Sequence, residues 1–134
     1  MLRMMPGLAA GSVPTGWLFA SGKVSWDLAE ALAEADPRNA QARTDLSLCV
    51  RKLGNVVRNT SPEEAIVLYR RSQALTSALL ANAPANTDFR RYQALNSMGL
   101  AAPLASLKRY GEALRNLLSS REALEELRAQ DREN

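Results

Sequence analysis

The residue types that could carry out chemistry are few in this chain and are poorly placed for it. Histidine is absent, the only cysteine is Cys49, and neighbouring polar pairs occur at Glu63-Glu64 and Ser119-Ser120. A serine or cysteine nucleophile therefore has no histidine to act as its base. Adjacent helix positions do not face each other, so Glu63 and Glu64 are not expected to work as a carboxylate pair. We expect a protein that is not an enzyme and has no catalytic residues.

Sites for metals, nucleotides and other cofactors also lack their usual ligands. One cysteine without histidine is too few to build a structural zinc site. No phosphate-binding loop of the G-x-x-x-x-G-K type occurs. Cys49 has no second cysteine to form an internal disulfide, which is compatible with a reducing compartment. We therefore expect no cofactor, no metal and a cytoplasmic location.

Composition favours a single helical domain with mixed surface charge. The chain has 134 residues, of which 46% are hydrophobic and 5% aromatic, and Ala and Leu dominate. Net charge is 17 − 14 = +3. The basic pairs Arg70-Arg71, Arg90-Arg91 and Lys108-Arg109 lie in different segments, whereas nucleic-acid binders concentrate positive charge on one face. We predict solvated helix faces and no nucleic-acid partner, with a helical nucleic-acid-binding module kept as an alternative.

Residues 1–22 are predicted to form an irregular leader. Pro6, Gly7, Gly11, Pro14 and Gly16 interrupt its apolar residues, whereas a secretory signal needs a continuous apolar stretch. A degenerate signal stays an alternative for this leader. No segment reaches the roughly 18 uninterrupted apolar residues of a membrane span, so no membrane partner is expected.

An internal repeat organises the rest of the chain. The segment 36–39 recurs as 83–86, at an offset of 47 between Pro37 and Pro84, and returns without the proline at 131–134. Leu53-Gly54 is matched with Met98-Gly99 at an offset of 45, and Ala65 with Ala113 at 48. These landmarks predict a half unit at 23–36, unit one at 37–83 and unit two at 84–130. The changing offsets predict a shorter first helix and a longer turn in unit two.

Each unit is predicted to contain two helices. In unit one, Asn39 is the expected N-cap of the first helix, followed by an apolar stripe at steps of three and four residues. Ser61, Pro62 and Glu64 predict the start of the second helix through a capping box. That helix should end before Pro84.

Unit two is predicted to repeat this plan. Asn86 or Thr87 starts its first helix, and Pro103 ends or kinks it. Its last helix is predicted from Tyr110 to about Arg128, with Tyr69 and Tyr110 as packed residues. The apolar stripe of the first helix is predicted to comprise Phe89, Tyr92, Leu95, Met98 and Ala102.

These landmarks resemble the tetratricopeptide repeat, in a long-period bacterial variety. The usual repeat has Leu-Gly in its first helix and Ala in its second. Leu53-Gly54 and Ala65 fill those places in unit one, and Met98-Gly99 and Ala113 fill them in unit two. The resemblance implies an all-α fold of antiparallel helix hairpins stacked as a short right-handed solenoid. Glycine would let a neighbouring helix approach closely.

The resemblance also implies a function and a site. Tetratricopeptide arrays bind peptides or helices in a groove lined by the first helix of each unit. Some members hold a terminal carboxylate with a basic residue and an Asn, places that Arg51 and Asn55 occupy here, one helical turn apart. The groove residues implied in this way are Arg51, Asn55, Arg58, Asn59, Gln93 and Asn96.

The expected function is therefore that of a protein-interaction scaffold with a protein or peptide partner. An alternative is a truncated segment of a larger signalling protein associated with a serine/threonine kinase. Uncapped repeat ends expose apolar residues, so self-association through these ends is a further expectation.

Overall fold

The described part of the chain is all-helical. The structure, a computed structural model, describes residues 30–31, 33–36 and 38–133. Residues 30, 31 and 33–35 are helical, and four longer helices follow: α1 (Ala40–Val57), α2 (Pro62–Asn82), α3 (Thr87–Ser106) and α4 (Tyr110–Glu133). The predicted leader 1–22 lies outside the described residues, as does most of the half unit 23–36. Among the described helices, none is both long and apolar enough to cross a bilayer.

The four helices form two hairpins that pack side by side. Each helix packs against the next along the chain, α1 and α3 touch lightly, and α1 does not reach α4. Loops of three to four residues separate the helices, so consecutive helices run antiparallel. The predicted two helices in each of the two units, and their order along the chain, are confirmed.

Asparagine caps start both first helices. The side-chain oxygen of Asn39 accepts a hydrogen bond from the Ala42 amide at 3.1 Å, and that of Asn86 accepts one from Phe89 at 3.0 Å. Ser61 is the N-cap of α2 and Pro62 its first residue, as predicted, but the Ser61 side chain makes no capping hydrogen bond. The predicted capping box is therefore not formed, and the Ser61 amide bonds to the Val57 carbonyl.

Pro103 does not end α3, so the first of the two outcomes predicted for it, an end or a kink, is wrong. The helix continues three residues to Ser106, and Pro103 is buried inside it. The end is set instead by Lys108, whose positive φ of 62° reverses the chain. The amides of Lys108 and Arg109 return to the carbonyls of Ala105 and Leu104, both at 2.9 Å, which is the hydrogen-bond pattern of a Schellman motif.

The side chain of Tyr69 lies at the centre of the core. It is 0% exposed and belongs to a core cluster with Leu68, Leu100 and Leu104 that draws buried residues from all four helices. Both glycines in the middle of the chain meet its ring. A Cβ on Gly54 would lie 3.1 Å from Cε1 of Tyr69, and a Cβ on Gly99 only 2.6 Å from it. The glycines therefore make room for one aromatic ring, which stands between α1 and α3.

The two units follow a constant register of 47 residues in their first helices. The N-caps Asn39 and Asn86 differ by 47, and the buried residues Leu53 and Val57 are matched at that offset by buried Leu100 and Leu104. Gly54 is thus matched by Ala101, and Gly99 is not its counterpart. The sequence pairing of the two glycines at 45 was wrong by two residues.

That shift explains two further corrections. Helix α3 has 20 residues against 18 in α1, and the following turn is shorter, which is the reverse of the prediction. Of the apolar stripe predicted for α3, Met98 is 42% exposed and Ala102 is exposed. The buried residues are instead Ala94, Asn96, Leu100, Ala101, Pro103 and Leu104.

Helix α4 matches α2 at an offset of 48 on the side that faces its own hairpin partner. Ala65, Ser72 and Leu79 are buried in α2, and Ala113, Ser120 and Leu127 are buried in α4. Tyr110, predicted to be packed, is 63% exposed. The helix runs on to Glu133, so 131–133 continue α4 and do not begin a third unit.

Replacing Gly99 by Ala should destabilise the protein. The added Cβ would lie 2.6 Å from Cε1 of the Tyr69 ring, which also lies against Gly54. Overpacking costs about 1–3 kcal/mol, which exceeds the ~1 kcal/mol that Ala gains in helix propensity. We expect Gly99→Ala to lower the free energy of unfolding by about 1–2 kcal/mol, measured by urea denaturation.

Gly111→Ala is the matched control. Its Cβ would meet only a side-chain atom of Arg115 at 3.8 Å, so this variant should be as stable as the parent or more so. Equal or greater stability of Gly99→Ala would show that the ring does not need the space.

Candidate functional site

The hydroxyl of Tyr69 is the centre of a polar cluster on the α1 side of the α1–α3 contact. The Tyr69 hydroxyl donates a hydrogen bond to Oδ1 of Asn55. The charges of Arg58 and Arg51 act on the tyrosine oxygen. Arg51, Asn55 and Arg58 occupy successive turns at the C-terminal end of α1, so the helical period brings them to one side. Three of the six residues predicted from the resemblance therefore lie together.

The electrostatics of this cluster are positive. Burial raises the pKa of the Tyr69 hydroxyl, and the charges of Arg58 and Arg51 lower it in part. The tyrosine is thus neutral near pH 7 and neutralises neither guanidinium. In the described part of the chain, no carboxylate forms an ion pair with Arg51 or Arg58.

Several arginines elsewhere on the described surface have carboxylate partners. Arg70 and Arg109 both pair with Glu112, at 3.2 and 2.7 Å, and Arg90 pairs with Glu126 at 3.3 Å. Arg115 and Arg128 of α4 also form no ion pair within the described chain, so Arg51 and Arg58 are distinguished by lying together beside the Tyr69 hydroxyl.

Hydrogen-bonding capacity remains in the same place. The Nε of Arg51 is buried and has no hydrogen-bond partner. Asn55 is exposed and spends its oxygen on Tyr69, which leaves its N–H donors for an acceptor. Two guanidiniums and an amide next to each other suit a carboxylate, which accepts paired charge-assisted hydrogen bonds.

The remaining predicted residues do not join this cluster. Asn59 is exposed just after α1 ends. Gln93 donates a hydrogen bond from Nε2 to Oγ of Ser77 on α2 at 2.7 Å. Asn96 is 0% exposed, so it lies beneath the surface, away from where a ligand would bind, and both of its side-chain polar atoms lack hydrogen-bond partners.

The pairing of Gly99 with Gly54, which is wrong by two residues, explains why Gln93 and Asn96 were assigned to the groove. Gln93 and Asn96 were positioned by counting from Gly99 as though it matched Gly54. At the observed offset of 47, Arg51 corresponds to Met98 and Asn55 to Ala102. Neither offers a charge or a donor, so the polar cluster belongs to the first hairpin alone.

Sequence reasoning placed Tyr69 in the core and overlooked its hydroxyl. Both roles hold, because the ring is buried while the oxygen reaches Asn55. The signal was available in principle, since a buried tyrosine needs a partner for its hydroxyl. What the sequence did not show was that the partner is Asn55, 14 residues away on another helix.

The residues first considered for chemistry are not arranged for it. Burial raises the pKa of Cys49, which disfavours the thiolate. Ser120 is buried and donates to the Leu117 carbonyl at 2.9 Å, while Ser119 is exposed. Burial, with a smaller contribution from the Glu63 charge, raises the pKa of Glu64, and a hydrogen bond with Ser61 partly opposes this. No group of three potential metal ligands occurs among the described residues.

Comparison with protein-family models, with curated proteins and with solved structures gives no significant match. Any function must therefore be inferred from the polar cluster around the Tyr69 hydroxyl.

The raised pKa of Tyr69 predicts a loss of stability in alkali. A tyrosine whose folded pKa lies above its unfolded value of about 10 contributes stability below pH 10 and loses it as pH rises through the folded pKa. Tyr69→Phe should remove the part of the stability loss in alkali that comes from ionisation of this hydroxyl. The variant also lacks the hydrogen bond to Asn55, so it should be less stable than the parent protein at lower pH.

Urea denaturation at pH 7 to 11 measures this difference. Tyr110→Phe is the control, because Tyr110 is exposed and its loss should leave the slope unchanged. A Tyr69→Phe profile parallel to that of the parent protein would contradict the assignment.

Proposed function

We propose that this chain is a non-catalytic protein-interaction module of the tetratricopeptide type, which binds a peptide or helix through a carboxylate at Arg51, Asn55 and Arg58. The observation that carries the proposal is the pair of guanidiniums around the Tyr69 hydroxyl without a carboxylate partner in the described chain. A carboxylate from a partner would complete the charge balance and use the free donors of Arg51 and Asn55.

The helical plan supports the tetratricopeptide part of the proposal. Two antiparallel hairpins pack side by side, and small residues are buried at matched positions in their second helices, Ala65 and Ser72 in one and Ala113 and Ser120 in the other. Such hairpins cannot bury their apolar sides alone and do so by stacking. The glycine of the repeat pattern is present in unit one, and Ala101 stands in its place in unit two.

The proposed site is suited to recognition and not to turnover. Tyr69 stays protonated near neutral pH, because burial raises its pKa, and the guanidiniums do not deprotonate in proteins. None of the clustered groups therefore exchanges a proton near pH 7, as a general acid or base must. The proposal includes that the protein is cytoplasmic and bacterial and that it holds another protein.

A binding experiment tests the groove directly. Immobilised protein is exposed to a random peptide library in two forms, one with free C-terminal carboxylates and one amidated. We expect retained peptides from the free-acid library. Arg51→Ala with Asn55→Ala should weaken their binding about tenfold or more, because hydrogen bonds to charged groups contribute roughly 1.5–3 kcal/mol each.

Arg115→Ala provides the control, since Arg115 is exposed on α4 and outside the cluster. It should bind as the parent does, and added salt should weaken binding to both. Equal affinity of the double variant and the parent would show that the groove is assigned to the wrong residues.

A further inference from the structure

Helix α4 carries an apolar face that no element of the described chain covers. Leu114, Leu117 and Leu118 are 56%, 44% and 48% exposed, and Met98 of α3 is 42% exposed beside them. Part of this face is a groove of about 490 Å³. Its lining includes Met98, Leu117, Leu118, Leu124, Arg121 and Glu125. Contiguous exposed leucines of this kind are typical of a docking surface.

The equivalent face of α2 shows what such a surface accepts. At the offset of 48, Leu114 and Leu117 correspond to Ile66 and Tyr69, which are 5% and 0% exposed. Helix α3 packs against α2, runs antiparallel to it and meets the Tyr69 ring at Gly99. The face of α4 is thus built for an antiparallel helix as well.

Two side-chain hydrogen bonds define the register of the α2–α3 contact. Gln73 donates to Ser97 at 3.2 Å, and Gln93 donates to Ser77 at 2.7 Å. From Gln73 to Ser77 the chain of α2 advances four residues, and the partner on α3 moves back four residues from Ser97 to Gln93, as expected for antiparallel helices. The contact is therefore fixed by two polar pairs one helical turn apart.

On α4 the two polar positions of α2 are replaced by opposite charges. Gln73 and Ser77 correspond to Arg121 and Glu125, which are 72% and 67% exposed and form an ion pair of 3.6 Å along the helix. A covering antiparallel helix must then present an acid to Arg121 and, one turn away, a base to Glu125. The α4 helix of a second copy presents both.

We propose that two copies of this chain associate through antiparallel α4 helices related by a two-fold axis between residues 121 and 125. Arg121 then faces Glu125 of the partner subunit, and symmetry repeats this pair, as an isologous interface requires. In this register Leu117 lies opposite the partner subunit's Ala129, a small residue that leaves room for it.

The leucines and the charges have different roles in this interface. Leu118 lies opposite Arg128 of the partner subunit, whose aliphatic stem covers it while the guanidinium stays in water. Apolar burial supplies the affinity. The paired charges select the register and the antiparallel direction, because a shift by one turn would oppose like charges.

Charge reversal tests the proposal by sedimentation velocity and equilibrium. The parent protein should show a reversible monomer–dimer equilibrium. Arg121→Glu places acids opposite acids and Glu125→Arg places bases opposite bases, so each should dissociate at least tenfold more readily. The double variant Arg121→Glu, Glu125→Arg should recover the parent affinity with its charges exchanged.

A mixture gives the sharpest result. Arg121→Glu and Glu125→Arg chains should be monomeric separately and form a heterodimer together, because every facing pair is then of opposite sign. Arg115→Glu changes charge on α4 away from the face and should dimerise like the parent. Circular dichroism checks that each variant is as helical as the parent.

A monomeric parent at the highest soluble concentration overturns the proposal, and so does a mixture that stays monomeric or a double variant that fails to recover. Association that survives both single reversals points to a different interface and overturns it too. The result is independent of the proposed peptide site, since Arg51 and Asn55 are unchanged in every variant.

Discussion

The ring of Tyr69 stands between two glycines, and this contact sets the distance between the first helices of the two hairpins. Gly54 and Gly99 have no side chain to displace the ring, which lies close to both α1 and α3. Because the ring is held in this way, its hydroxyl reaches Asn55 and the neighbouring guanidiniums. The ring of Tyr69 therefore lies at the centre of the core, and the hydroxyl of the same side chain lies in the proposed binding site.

The two hairpins use different means to hold their helices together. In the first, the hydroxyls of Ser47, Ser72 and Thr76 form a buried network, with Ser47 at 3.0 Å from Ser72 and 2.9 Å from Thr76. In the second, the matched positions are Ala94, Ser120 and Leu124, so this network is not repeated. The buried hydroxyl network and the polar cluster around the Tyr69 hydroxyl thus both belong to the first hairpin.

The same asymmetry separates the two ends of the described stack. The outward face of α2 is covered by α3, whereas the matching face of α4 is exposed and carries Leu117 between charged neighbours. A repeated helix thus has different surroundings at different places: α2 packs against the next hairpin, and the matching face of α4 stays exposed in the described chain. Repetition of the backbone plan does not require repetition of side-chain chemistry.

The helices themselves were determined by the sequence. Asn39 and Asn86 cap them, Pro62 begins α2, and Pro84 prevents its continuation, all of which depend on neighbouring residues only. The clustering of Arg51, Asn55 and Arg58 was also accessible, since they share one face of one helix.

Only tertiary structure decided which residues of α3 face inward. Large apolar residues such as Met98 suggested one face, but the core contains small residues such as Ala94 and Ala101 together with Leu100 and Leu104. Pairing the glycines along the sequence assumed that both serve the same position in their units. In the folded chain they make room for the same ring from two different helices, and that relation exists only in the tertiary structure.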